Sequence, residues 1–406
     1  MLTRILIVAP SLHPGGAQRH FVNLAKEFHR AGAAVTVALL RREGAFLKEL
    51  SDAVDVVGLL SPRLLRVLHW SERGSVARSV VRNHLVRVAL YASAGAIGRL
   101  RRVCLLHRPA IVLSTLWEAD VSAALALRRL PRASRPRWIV AAAFNFEPRL
   151  GSGLRRTLLT TLVRRTYGGA DLMVAPSAPA GRQIRTLVRD SRTPVRIIPN
   201  AIGLDRVREQ ATRMSGWHGA RGASGPVLVA VGRLVPEKGF DLLLQALARV
   251  RLQMPTARLV IVGDGPSRVS LERLARRLGI EGAVSWTGFL DNPFPYMAAA
   301  DAVVVPSRWE TFANVVPEAM ALGVPVIATR CGGPEDILEP GRDGFLVPPE
   351  DVEALSRCVL EVLGDQDRRR AVGERARKKA EEFSASSVAA AYLKCFEQVL
   401  ASGESP

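Results

Sequence analysis

Asp301-Ala302-Val303-Val304-Val305 runs into Pro306-Ser307-Arg308-Trp309-Glu310-Thr311-Phe312-Ala313-Asn314 and on into Val315-Val316-Pro317-Glu318-Ala319-Met320, with Gly323 just beyond. The first five residues are a short apolar run of the kind that forms a strand buried on both faces. Pro306 and Ser307 break the run and open a loop. The last stretch reads as a helix. Asn314 stands at its N-cap, Pro317 falls in the first turn, where amide donors lack helical acceptors anyway, and Gly323 ends it. The free amides of that first turn then face the carboxyl edge of the sheet, where an anion is stabilised.

The same strand and helix rhythm extends in both directions. Strands are predicted at Val227–Val231, Arg258–Val262, Ala283–Trp286, Ala302–Val305 and Val324–Ala328. Nearer the start they are predicted at Arg4–Ala9, Ala34–Leu40, Val54–Gly58, Ala110–Ser114, Trp138–Ala143 and Asp171–Ala175. Amphipathic stretches such as Ala17–Arg30, closed by Gly32, separate them. Strands alternating with helices imply parallel sheets covered on both faces. The polar, glycine-bearing stretch from Asn200 to Gly225 interrupts the rhythm once and reads as an interdomain linker. Two α/β domains joined there enclose a cleft, with ligands expected at the carboxyl ends of the strands.

A chain of 406 residues is too long for one ordinary core, and 48% apolar residues leave burial unlimited. The four cysteines (Cys104, Cys331, Cys358, Cys395) have no metal-type spacing, which fits a reduced, cytoplasmic protein without structural zinc or disulfides. Residues 4–9 are too short for a signal core, and Val88–Gly98 is too short to span a bilayer.

The net charge of +20 is one-sided. Residues 1–200 hold 32 basic and 11 acidic side chains, and the remainder holds 25 and 26. An anionic partner is therefore expected on the first half. Two stretches suit an anionic bilayer. Residues 61–106 interleave Arg63, Arg66, Arg73, Arg78, Arg82, Arg87, Arg99, Arg101 and Arg102 with Leu64, Leu65, Leu68, Trp70 and Tyr91, and Leu154–Arg165 adds Arg155, Arg156, Arg164 and Arg165. Ordinary surface helices packing an apolar stripe on a sheet would show the same pattern.

Chemistry concentrates between residues 226 and 349. After Val227–Val231 come Gly232-Arg233 and then Lys238-Gly239, two cations at a strand, loop and helix junction. Arginine offers a forked donor set and lysine a point charge, a pair suited to a diphosphate. Gly263-Asp264-Gly265 follows the next strand, in a turn that lets backbone come close to a ligand. Glu310 and Glu318, with seven residues between them, can each accept hydrogen bonds from hydroxyl groups.

These motifs occur in order with Thr287-Gly288-Phe289 and Gly332-Gly333-Pro334-Glu335, and together they resemble the donor domain of retaining glycosyltransferase family 4. The first half resembles the family too, in Gly15-Gly16-Ala17-Gln18-Arg19, in Ser177 and in Ile198-Pro199-Asn200. The resemblance implies a GT-B fold, an α/β architecture of two Rossmann-like domains with parallel sheets facing a central cleft. Its domains are expected at 1–200 for the acceptor and 226–380 for the nucleotide-sugar donor, with a linker at 201–225. A helix in 381–406 is expected to pack back on the first domain.

Carried over by position, the resemblance implies that Arg233 and Lys238 bind the donor diphosphate and that Glu310 faces the donor sugar. Glu318 would hold the ribose, and the backbone amides of Thr311, Phe312, Ala313 and Asn314 would lie beside sugar and phosphates. Gly263 and Gly265 would line the donor, and Gly16 would close on the phosphates. The expected activity is a retaining, metal-independent transfer from a nucleotide diphosphate sugar, UDP-linked in preference to GDP-mannose. The acceptor is a lipid-linked sugar or polysaccharide at the inner face of the cell membrane. No cofactor and no nucleic-acid partner are expected.

The sequence departs from the family after the strand at Trp138–Ala143. Where many members place a histidine, or an Arg-Asn pair, it reads Ala143-Phe144-Asn145-Phe146-Glu147. No general base is assigned; His13, His20, Asp120 and Glu147 are weak candidates. Asp365-Gln366-Asp367 matches a metal-binding pattern but reads as a helix start. A sugar-nucleotide epimerase of similar architecture and a non-catalytic polyanion- or membrane-binding relative are the alternatives.

Overall fold

The computed structural model describes residues 3–50, 54–61, 94–142, 153–188, 193–213 and 225–402. The arginines from Arg63 to Arg87 and the stretch Ala143–Glu147 lie outside the described residues. The described chain divides into two compact units. Unit 1 comprises Met1–Ala201 with Ala385–Pro406, and unit 2 comprises Ile202–Ser384.

Unit 1 holds a seven-stranded parallel sheet of β1 (Arg4–Ala9), β2 (Ala34–Leu39), β3 (Asp55–Gly58), β4 (Ile111–Thr115), β5 (Arg137–Ala141), β6 (Leu172–Ala175) and β7 (Val195–Ile197). Their spatial order is β3-β2-β1-β4-β5-β6-β7. Unit 2 repeats the plan with β8 (Val227–Val231), β9 (Arg258–Val262), β10 (Val284–Gly288), β11 (Ala302–Val305), β12 (Val326–Thr329) and β13 (Phe345–Val347), ordered β10-β9-β8-β11-β12-β13.

The central strands are apolar beyond their first residue because both faces are covered, and the period of two sends alternate side chains to separate cores. In β1, Leu6 and Val8 enter one core while Ile5, Ile7 and Ala9 enter the other. In β8, Leu228 and Ala230 part from Val227 and Val229 in the same way. Strand order reverses between β1 and β4 in unit 1 and between β8 and β11 in unit 2. At such a point the connections leave to opposite faces and open a crevice beyond the strand ends.

Helix Leu204–Thr212 lies inside the stretch read from sequence as a linker, and its Leu204 and Val207 pack into a core of unit 2. In unit 1, helix Gly153–Tyr167 buries Val163 and Tyr167 against the sheet, and Arg164 Nε donates to the Leu187 carbonyl at 2.9 Å. Leu162 of the same helix is exposed, and the side chains of residues 153–159, Arg155 and Arg156 among them, lie outside the described residues. The last helix, Ala385–Ala401, buries Val388, Ala389, Tyr392 and Phe396 in the unit 1 core that also contains Phe28. Among the described residues no helix is long and apolar enough to cross a membrane.

Candidate active site

The switch point of unit 2 gathers three loops. The first leaves β8 through Gly232 and Arg233, turns through the short helix Pro236–Lys238, and reaches Gly239 with φ of 64°. A Cβ on Gly239 would lie 2.0 Å from the Pro306 carbonyl oxygen, so only glycine lets this loop press against the end of β11. The second loop, from Pro306 to Asn314, carries Glu310. The third leaves β12 through Cys331, Gly332 and Gly333.

Glu310 is fixed from both sides. Its amide donates to the Cys331 carbonyl at 3.0 Å, and its carbonyl accepts from the Gly333 amide at 3.1 Å. Its carboxylate forms an ion pair with Lys238 Nζ and accepts from Ser307 Oγ at 2.9 Å. The Glu310 carboxylate is only 11% exposed and so poorly screened by solvent, while the Lys238 side chain is 29% exposed. Arg233 is exposed on the same loop as Lys238, and its guanidinium has no hydrogen-bond or ion-pair partner among the described residues. One paired and one unengaged cation thus stand at the same strand end.

Gly263 and Gly265 serve the first loop. A Cβ on Gly263, whose φ is 146°, would fall 1.9 Å from the Gly232 carbonyl oxygen, and one on Gly265 would fall 2.5 Å from the Leu234 oxygen. Gly232 donates to the Val262 carbonyl at 3.0 Å, and Leu234 to that of Asp264 at 2.9 Å. The two turns are therefore stacked backbone on backbone. Gly333 does the same for the second loop, since its Cβ would meet the Phe312 Cα at 2.3 Å.

Phe312 is a core side chain, edge-on to Phe383 at 5.9 Å, so only its backbone can face a ligand. Ala313 adopts φ of 69°, a left-handed conformation unusual for a residue with a Cβ. Helix Val315–Ala321 follows, with Asn314 at its N-cap position and Glu318 in its first turn. Asn314 makes no side-chain capping bond. Thr311, Asn314 and Glu318 are half-buried.

In unit 1, Gly16 opens helix Gly16–Arg30 just beyond β1 and is exposed. Across the switch point, β4 ends at Thr115, whose buried hydroxyl has no hydrogen-bond partner, and Leu116 follows with φ of 63°. Sequence reading missed both residues, because an isolated Thr-Leu pair carries no pattern.

The candidate bases fare differently. His13 is exposed, with Nε2 at 3.1 Å from Glu43 Oε1. His20 is buried, its Nδ1 accepts from the Ala201 amide at 2.7 Å, and burial lowers its pKa to about 3. It is a neutral core residue and cannot serve as the base; the shell that excludes water also excludes substrate. Asp120 is buried too. It accepts from Ser114 Oγ at 2.6 Å and Tyr167 OH at 2.9 Å, and burial pushes its pKa up to about 7 against those bonds. Asp365 caps helix Gln366–Lys379, accepting from the Arg368 amide at 2.9 Å. A groove of about 620 Å³ lined by Arg4, His29, Thr36, Asp55 and His107 opens at the amino ends of β1–β3, the edge of the unit 1 sheet opposite Gly16 and Leu116.

His20 and Asp120 give unit 1 two opposed pH responses. A base with a lowered folded pKa contributes stability that is complete above about 6.5 and lost as pH falls toward 3. An acid with a raised one contributes stability that is complete below about 4 and lost as pH rises through 7. In urea titrations, wild type is expected to lose about 3 kcal/mol more than His20→Gln between pH ~6.5 and ~4. Parallel curves would show that His20 is hydrated.

The description "Glycosyltransferase Family 4" matches residues 14–206, and "Glycosyl transferases group 1" matches residues 219–379. The lipopolysaccharide core biosynthesis glycosyltransferase LpsE of Rhizobium meliloti is 36% identical over 44% of this chain, which spans 51% of that protein. A GDP-mannose-dependent alpha-(1-6)-phosphatidylinositol monomannoside mannosyltransferase of Mycolicibacterium smegmatis is 32% identical over 64% of this chain and 70% of its own length. Among solved structures, Anabaena Alr3699/HepE in complex with UDP superposes with a TM-score of 0.75 at 22% identity, covering 98% of this chain and all of that one. With both halves matched and the double parallel-sheet plan of GT-B, the chain belongs to glycosyltransferase family 4.

Proposed function

We propose that the protein transfers a sugar, with retention of configuration and without a metal ion, from a UDP-sugar to a glycan or lipid-linked acceptor. The observation that carries this reading is the Lys238–Glu310 pair, with exposed Arg233 on the same loop as Lys238, at the switch point of unit 2. The two cations take the diphosphate, and Glu310 accepts hydrogen bonds from sugar hydroxyls. The sugar–phosphate bond breaks, the acceptor oxygen bonds the anomeric carbon on the same face, and the departing phosphate oxygen takes the acceptor's proton. No protein base is required. The family match favours transfer over epimerisation. A UDP complex of HepE supports the uridine preference, and the GDP-mannose-dependent relative makes guanosine the competing outcome.

A second surface favours action at a membrane. On helix Ala94–His107, Arg99, Arg102, Leu105 and Leu106 are exposed, Leu106 by 71%. A basic face with protruding leucines fits an anionic lipid surface.

A thermal-shift and turnover panel of UDP- and GDP-sugars tests the donor. A ligand at a hundredfold its Kd stabilises the fold by about 2.7 kcal/mol. Stabilisation by one nucleotide class, lost in Arg233→Ala, is expected. A folded sample that responds to no nucleotide would put the non-catalytic reading ahead. Sedimentation with phosphatidylglycerol vesicles tests the surface, and binding that survives in Leu105→Ser/Leu106→Ser would remove it.

A further inference from the structure

Arg308 lies two residues before Glu310, and the donor reading gives it no role. Its guanidinium grips Asp241 with both ends of the fork, Nη1 to Oδ1 at 2.8 Å and Nη2 to Oδ2 at 2.7 Å. Nη1 also donates to the Pro236 carbonyl at 2.7 Å, and Nε donates to Glu350 Oε1 at 3.0 Å. The Arg308 amide donates to the Glu237 carbonyl at 2.8 Å. All its partners but Glu350 belong to the segment 236–241, which carries Lys238 and continues from Arg233.

We propose that Arg308 is a positioning residue whose forked grip on Asp241 and Pro236 locks the loop of Arg233 and Lys238 to the loop of Glu310, holding cation and carboxylate at one fixed separation for the donor.

Magnitude separates this role from a general contribution to stability. The Arg308 side chain is 29% exposed and that of Asp241 36%, and ion pairs so open to water add little to folding. The loops are already pressed together at Gly239 and Pro306. That contact fixes their distance, while the planar fork fixes their mutual angle, which a lysine ammonium cannot do. The Asp241 carboxyl is correspondingly held below its ordinary range, chiefly by its hydrogen bonds from Arg308.

The inference rests on the donor-site reading, and two measurements keep them apart. The first is steady-state kinetics of Arg308→Gln, Arg308→Lys, Asp241→Asn and the Arg308→Gln/Asp241→Asn double variant. The donor is whichever UDP- or GDP-sugar the wild type turns over. KM for the donor is expected to rise about tenfold in each single variant, with little rescue by lysine, and no further in the double variant. A purely structural role would lower the thermal midpoint and the active fraction and leave KM unchanged, which overturns the proposal. The second is amide hydrogen exchange on the same proteins without ligand. Exchange in 233–239 and 308–314 is expected to quicken together in Arg308→Gln. If wild type turns over none of these sugars, the donor reading fails and exchange alone decides. Joint loosening sustains the lock, and a change confined to 308–314 refutes it.

Discussion

Lys238→Met is expected to slow sugar transfer by about a hundred- to a thousandfold, the loss seen when one preorganised charge or donor on a leaving group is removed. The ammonium is held in place by the largely buried Glu310 carboxylate, so its charge is preorganised for a departing diphosphate. The substitution also strands the Glu310 carboxylate with Ser307 Oγ as its remaining side-chain donor, which costs about 1–3 kcal/mol. Stability and catalysis are separable here. Adding Glu310→Gln to Lys238→Met removes the stranded charge and restores much of the thermal midpoint, while activity stays low. If folded Lys238→Met turns over within tenfold of wild type, the ammonium does not act on the leaving group.

Gly263→Ala carries the largest expected loss of stability, about 2–4 kcal/mol, or a midpoint drop of roughly 5–15 °C. Its φ of 146° is open essentially to glycine alone, and the new methyl would sit 1.9 Å from a backbone oxygen that no rotamer change can move. The turn carrying Arg233 must shift, so nucleotide binding weakens along with the fold. Gly279→Ala is the control. Gly279 has a φ of 66° but nothing within 4 Å of its Cβ position, leaving only the left-handed penalty of about 1–2 kcal/mol. Equal losses at the two sites would show that the loops yield easily.

The architecture was largely legible because parallel strands covered on both faces are written as unbroken apolar runs. Val227–Val231, Arg258–Val262, Ala302–Val305 and Arg4–Ala9 lie where such runs place them. The edges were not legible. Val195–Ile197 and Phe345–Val347 have three residues each, and half-open or charged positions such as Arg196 erase the signal. Helix Leu204–Thr212 was hidden because only Leu204 and Val207 are buried, too few to mark a face. At the site, Arg233, Lys238 and Glu310 stand out by type and spacing. Asp241 and Arg308 do not, since an ion pair across 67 positions leaves no local trace. Gly263 and Gly265 are visible as a turn, but their contact with Gly232 and Leu234 is tertiary.

The aromatic rings of Tyr392 and Phe396 lie 6.2 and 5.5 Å from that of Phe28, in a core whose other walls are contributed before residue 202. Unit 1 is thus discontinuous in the order of synthesis. A ribosome adding roughly 5–20 residues per second leaves roughly 10–40 s between the emergence of Ala201 and that of Ala385. Throughout that interval the side of the first helix bearing Phe21 and Phe28 lacks its closing partner, while every residue of unit 2 is being delivered. The later-made unit can therefore finish folding before the earlier one.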